Sequence, residues 1–176
     1  MRMRTFLILL VTACAMHSCN STDDSEAKST SSRTSIIAES DTLLVLRNSE
    51  YNLTLTLPKS IMTAESKFQF RESFGDAELY VHPGFHVYIS KEDTELSEIK
   101  KELQSDGLFS RKFTDESEEE LFYQSILPDG SEIGFGWVKS LTTPGLKMIL
   151  RLDPQGSYSK QDVRTIQKHM KTLNIL

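Results

Sequence analysis

Three histidines in the body of this 176-residue chain could do chemistry: His82, His86 and His169. His82 and His86 are four apart, the spacing that on a helix puts two imidazoles on one face and lets them share a metal ion. Pro83-Gly84 lies between them. In a tight turn His82 pairs with Phe85 and His86 with Val81, so the rings point to opposite faces and no shared ion is expected. His169 flanks the apolar stripe of a closing helix and reads as a boundary residue. Nucleophilic catalysis needs a serine beside a positioned histidine, and none of the three sits in such a setting. Gly-rich phosphate loops, His-Glu-x-x-His, Gly-x-Ser-x-Gly and Cys-x-x-Cys do not occur in the sequence. Asp115-Glu-Ser-Glu-Glu-Glu120 could attract a hard cation, but it lacks the spaced oxygen ligands and turn glycine of a calcium loop. It reads as a solvated acidic loop. Asn52-Leu-Thr54 fits a glycosylation sequon inside a strand and is taken as chance. No catalytic residue, metal site or cofactor is expected.

The elements that must position any site follow from periodicity. Leu43-Leu-Val-Leu46 is a short apolar run, and Arg47-Asn-Ser-Glu50 reads as a turn. Tyr51-Asn-Leu-Thr-Leu-Thr-Leu57 alternates strictly, as a half-buried strand does, and Pro58 ends it. Phe68-Gln-Phe70, Leu79-Tyr-Val81 and Phe85-His-Val-Tyr-Ile89 are further strands. Ser90-Lys-Glu-Asp93 offers a capping box, with Leu96, Ile99 and Leu103 at helical spacing before Gly107. Ser159-Lys-Gln-Asp162 offers a second box, and Val163, Ile166, Met170 and Leu173 form one apolar stripe that must dock on a sheet.

Between the two helices, strands over 121–127, 131–141 and 146–152 are separated by Pro128-Asp-Gly130 and Thr142-Thr-Pro-Gly145. This is a three-strand meander. Two-residue loops at Asp129-Gly130 and Pro144-Gly145 put Phe122, Ile126, Ile133, Phe135, Trp137, Leu146, Met148, Leu150 and Leu152 on one core face. The other face then carries Tyr123, Ser125, Glu132, Gly134, Gly136, Lys147, Ile149 and Arg151. Both loops agree on a single core face, which supports the register. Gly134 and Gly136 fall opposite Ser125 and Tyr123. Glycine inside a strand marks close approach of a ligand or of another backbone. Tyr123, Gly134, Gly136, Lys147 and Arg151 are therefore the candidate binding face.

The expected fold class is α+β: an antiparallel sheet with a central meander, covered by an internal helix and a C-terminal amphipathic helix. The opening strand Leu53-Thr-Leu-Thr-Leu-Pro58, the meander and the closing helix resemble the PsbP-like α/β/α sandwiches of small bacterial lipoproteins. That resemblance implies a module that binds or assembles and implies no reaction.

The head of the chain tells more about location. Arg2 and Arg4 precede an apolar run over 5–11, the layout of a secretory signal, and the run is far shorter than the roughly 20 residues that span a bilayer. Met16-His17-Ser18-Cys19 resembles a bacterial lipobox, with a small residue before the cysteine that would carry lipid. Val11-Thr12-Ala13-Cys14 matches the residue pattern better but leaves a very short apolar run before cleavage, so Cys19 is preferred. Asp23 and Asp24 follow shortly after, and resemble the acidic export tether of Bacteroidota-type surface lipoproteins. The expected organisation is a signal over 1–18, a Ser- and acid-rich flexible tether over 19–39, and one domain over 40–176.

Cleavage before Cys19 would lower the Lys+Arg count from 20 to 18 against 25 Asp+Glu, taking the net charge from −5 to near −7. Such a chain is a poor ligand for nucleic acid, which needs a basic surface. Both cysteines lie in the head, so the domain has no disulfide and rests on its core. The expectation is a non-catalytic, outer-membrane lipoprotein. Its anchor is the N-terminal lipid, its face is the cell surface or alternatively the periplasm, and its partner is an unknown envelope protein or glycan. The alternatives are a hydrolytic or other enzyme with a loop-built site and an immunity lipoprotein.

Overall fold

A computed structural model describes residues 35–38 and 42–176. Cys14, Cys19, Asp23 and Asp24 lie outside them. Four residues of the segment read as a tether are a strand, β1 (Ser35–Ala38), paired antiparallel with β2 (Leu43–Arg47). The alternating stretch forms β3 (Asn52–Thr56), which pairs with β2 and with the short C-terminal β11 (Asn174–Ile175). Asn48 shapes the β2–β3 turn by accepting from the backbone N–H groups of Glu50 and Tyr51. Together these strands make a four-stranded sheet in the order β1-β2-β3-β11.

The larger sheet has seven strands. It comprises β4 (Lys67–Arg71), β5 (Asp76–His82), β6 (Phe85–Lys91), β7 (Ser110–Glu116), β8 (Glu120–Ile126), β9 (Glu132–Thr143) and β10 (Leu146–Leu152). Its order is β4-β5-β6-β10-β9-β8-β7. Two antiparallel meanders are thus joined edge to edge where β6 pairs with β10. The fold is mixed α+β, with an antiparallel sheet flanked by two helices, α1 (Leu96–Gln104) and α2 (Lys160–Met170).

The two faces of the large sheet have different covers. Its first face carries Leu79, Val87, Ile89, Phe122, Trp137, Met148 and Leu150, and packs on Leu44, Leu46, Leu53 and Leu55 of the small sheet. The stripe Val163, Ile166 and Met170 of α2 closes the same core. Trp137 is fully buried with Phe122 as its cross-strand partner. The second face holds a smaller cluster of Leu121, Val138 and Ile149 under Leu96 and Ile99 of α1. Because α1 is only nine residues long, it shields just the β7–β10 part of that face.

The β9–β10 turn is the two-residue Pro144-Gly145 loop, with Gly145 at φ +82°. The β8–β9 loop departs from the two-residue reading. Leu127 donates to Ser131, so Pro128, Asp129 and Gly130 form a three-residue loop closed by Gly130 at φ +86°. A register shift next to Ser125 absorbs the extra residue and restores the pairs Ser125–Gly134, Tyr123–Gly136 and Phe122–Trp137. Ile133 is the unpaired residue and is 42% exposed, not in the core. A second shift lies in the β5–β6 hairpin. His82 pairs with Phe85 as the Pro83-Gly84 turn requires, but His86 pairs with Tyr80, not Val81.

α1 also begins differently from its sequence signal. Ser90 belongs to β6, and the N-cap is Glu95, without a side-chain cap hydrogen bond. The continuing β6–β10 ladder claims Ser90 through the Ile149 partnership, which outweighs a local cap. For α2 the box is complete: Ser159 Oγ accepts from Asp162 N, and Asp162 accepts from Ser159 N.

Candidate binding cleft

The uncovered part of the second face forms a cleft of ≈ 820 Å³ that runs from β4 across to β7, with α1 as one wall. Strand pairing sets side chains in rows across it. Gln69, Glu78, Tyr88, Arg151, Val138 and Leu121 form one row. Lys67, Tyr80 and His86 begin the next row, and the Tyr123–Gly136 pair stands farther across the same face. Phe74, in the β4–β5 turn, is 73% exposed and stands at the rim.

The polar groups are mostly tied to one another. Arg71 makes a two-toothed bond to Asp76 (Nε–Oδ1 2.7 Å, Nη2–Oδ2 2.6 Å), and its guanidinium carbon sits over the Tyr88 ring, 3.7 Å from the centroid. The Asp76 hydrogen bond holds its guanidinium more firmly protonated than usual, against burial. Glu78 gathers Lys67 (3.0 Å), Gln69 (2.5 Å) and His86 Nε2 (2.8 Å). Burial, the strongest single influence on Glu78, favours its neutral form. The combined pull of Lys67, Gln69 and His86 overcomes it and sets the carboxyl below its usual range. His86 Nδ1 lies 3.2 Å from Asp153, so both of its ring nitrogens are engaged by carboxylates.

The glycine face is built as two different close approaches. At Gly134 a Cβ would stand 3.2 Å from the carbonyl oxygen of Tyr158. The Tyr158 segment meets β9 there, accepting from Phe135 N at 3.0 Å. At Gly136 a Cβ would fall 2.2 Å from the Tyr123 ring, so the phenol of the facing strand fills the space. Burial pushes the Tyr123 hydroxyl pKa up, against the opposing fields of Arg111 and Arg151.

Of the five residues of the expected binding face, Tyr123, Gly136 and Arg151 line the cleft. Gly134 is covered by the Tyr158 backbone. Lys147 is ion-paired to Glu95 at the start of α1 and lines a separate recess with Asp93 and Glu119. The sequence reading missed Arg111, Arg71, Tyr88 and His86 as neighbours of this face. The available signal was the alternation of Phe85-His-Val-Tyr-Ile89, which puts His86 and Tyr88 on one polar strand face, but nothing in the sequence joins that face to the meander.

The other singled-out residues sit apart. His82 accepts from Gly84 N at 3.2 Å, and His169 Nδ1 lies 3.2 Å from the Thr56 carbonyl at the edge of α2. The acidic run is split between β7, the turn and β8, and its carboxylates diverge. Asp115 reaches Arg164, Glu116 reaches Lys100, and Glu120 reaches Lys139 and Gln167. Among the described residues no cluster of His, Cys, Asp and Glu is arranged to hold a metal ion. Comparisons with protein families, with characterised proteins and with solved structures each return no match for this chain.

Proposed function

We propose that this chain is a lipid-anchored envelope protein whose domain binds an envelope component in the second-face cleft without chemically changing it. The observation that carries the reading is the cleft itself. It has the size of a small-molecule site and a mixed lining, with aromatic rings beside a few fixed polar groups. Its candidate general base supports binding over catalysis: both nitrogens of His86 are held by Glu78 and Asp153, so neither faces a substrate proton. The resemblance of the opening strand, the meander and the closing helix to PsbP-like sandwiches, whose members bind or assemble, supports the same reading. Anchoring through Cys19, with display aided by Asp23 and Asp24, would place the cleft at the outer membrane.

Native mass spectrometry of the full chain, extracted from its own envelope in mild detergent, tests the reading. A non-covalent adduct lost on denaturation, and reduced by Arg151→Gln, is the expected result. Its absence, or an adduct that Arg151→Gln leaves untouched, would remove the cleft from the function.

A further inference from the structure

Three arginines line the cleft, and they are not equally satisfied. Arg71 shows how this chain completes a guanidinium, with two bonds to Asp76 and an aromatic face beneath. Arg111 and Arg151 are left incomplete. Arg111 is about nine-tenths buried, with its side chain 11% exposed, and gives one bond from Nη2 to Asp106 at 2.7 Å. Its Nε and Nη1 are buried without a hydrogen-bond partner among the described residues. The plane is pinned 4.8 Å over the Phe109 ring, and the Tyr123 ring lies 5.7 Å away. Arg151 gives Nη2 to Glu92 at 3.1 Å, while its Nε is likewise buried and unpartnered.

A buried charged donor without an acceptor is costly, and native structures rarely keep one without a use. Here unsatisfied N–H groups come from β7 and from β10, and the Tyr123 phenol, which feels both charges, lies between them on β8. The carboxylates of the lining do not reach these orphaned N–H groups. Glu92 takes Arg151 Nη2 and the Ser90 hydroxyl, Asp76 is spent on Arg71, Asp153 on His86, and Glu102 is exposed on α1. With Nη2 of each arginine already given to a carboxylate, the orphaned Nε of each offers a single charge-assisted N–H to one oxygen of an anion. Ile99 and Leu103 of α1 supply an apolar wall beside it.

Resting on the proposed binding role of the cleft, we infer that Arg111 and Arg151 form an oxyanion subsite, which takes the carboxylate or phosphate of a small organic molecule whose apolar body lies against α1. The subsite binds the charged end, and the rest of the cleft accommodates the body.

The test is a titration of the full chain, labelled with nitrogen-15, with benzoate, phenyl phosphate, benzyl alcohol and benzamidine, read at the Nε–H resonances of Arg111 and Arg151. The two anions are expected to shift both resonances saturably, and the neutral and cationic probes to leave them in place. The stronger of the two anions identifies the group. Arg111→Lys and Arg151→Lys keep the charge and lose the Nε donor. Each should weaken anion binding by about tenfold or more with an unchanged melting temperature. If Arg111→Lys does not fold, Arg151→Lys carries the comparison alone. Benzyl alcohol or benzamidine acting as strongly as the anions would overturn the oxyanion assignment while leaving the cleft a binding site. Anion binding indifferent to both lysine variants, or no shift from any probe, would overturn the subsite. A co-purified adduct that Arg151→Gln reduces, in a protein that gives no response to either anion, would overturn the subsite and leave the cleft a binding site.

Discussion

Gly136 shows how one residue without a side chain can organise a sheet face. Its hydrogen leaves room for the Tyr123 ring to lie across the strand pair, and that ring in turn meets Phe113 at 5.7 Å and faces Arg111. The depression expected from the glycine spacing is thus filled by the protein's own phenol. Gly136→Val should force the ring out of place and lower stability by about 1–3 kcal/mol, as overpacking does. The clash has one named partner, so Tyr123→Ala should recover part of that loss. Urea melts of the two single variants and the double variant form a cycle. Additive losses would show that the valine meets something other than Tyr123. Trp137, its chain neighbour, points to the opposite face and is fully buried beside Phe122. Trp137→Ala should cost about 3–5 kcal/mol, the usual range for a large core truncation. Equal midpoints for wild type and variant would contradict the register of β8 and β9.

At the scale of elements, two carboxylates join pieces that are distant in the chain. Glu78 ties β5 to β4 and β6, and Glu120 ties β8 to Lys139 on β9 and to Gln167 on α2. In each, burial opposes ionisation most strongly as a single influence. The hydrogen bonds and positive neighbours together outweigh it, so the folded carboxyl ionises more readily than the unfolded one. Their stabilisation is complete above the unfolded glutamate value of roughly 4.3 and is lost as the pH falls through the lower folded values. Denaturation midpoints should therefore drop from pH 5 toward pH 3. The Glu78→Gln/Glu120→Gln protein should start lower and fall less steeply. Parallel curves would show that other groups set the acid limit. Elements with a strong local signal were legible in the sequence: β3 from strict alternation, α2 from its capping box, and β8–β10 from apolar runs between turn residues, although the β8–β9 loop holds three residues and the expected pairs are restored only by the bulge at Ile133. β7 was not, because Ser110-Arg-Lys-Phe-Thr-Asp-Glu116 holds a single apolar residue and gains its place from pairing with β8. The bulges at Val81, Thr114 and Ile133 depend on tertiary fit, and no residue type announces them. The cleft escaped for a related reason. It exists because β6 pairs with β10, and that long-range pairing brings His86 and Tyr88 beside Arg151 with no periodic trace in the chain.

For the whole molecule the question is how such a domain meets its surroundings. No described helix is long and apolar enough to cross a membrane, and the attachment proposed above lies at the head of the chain. Cys19→Ala removes the thiol that would carry lipid and should leave an unprocessed chain that takes up no labelled palmitate. Equal labelling of wild type and variant would move the attachment to Cys14 or abolish it. Display is a separate step. In the proposed arrangement lipid holds the protein to a membrane, and the acidic pair Asp23 and Asp24 sends it to the outer leaflet. Changing both to Ala should preserve palmitate uptake but protect the domain from protease added to intact cells. The fold gives this assay a clear readout, since the two described sheets share one core. Cleavage on intact cells would therefore report exposure of the domain, and a parallel digest of lysed cells controls for its intrinsic sensitivity. If wild type and the double variant are cut alike outside the cell, the acidic pair is a plain spacer and the surface destination has another cause. If neither is cut until lysis, the cleft faces the periplasm, and its small oxyanion-bearing ligand must be sought there.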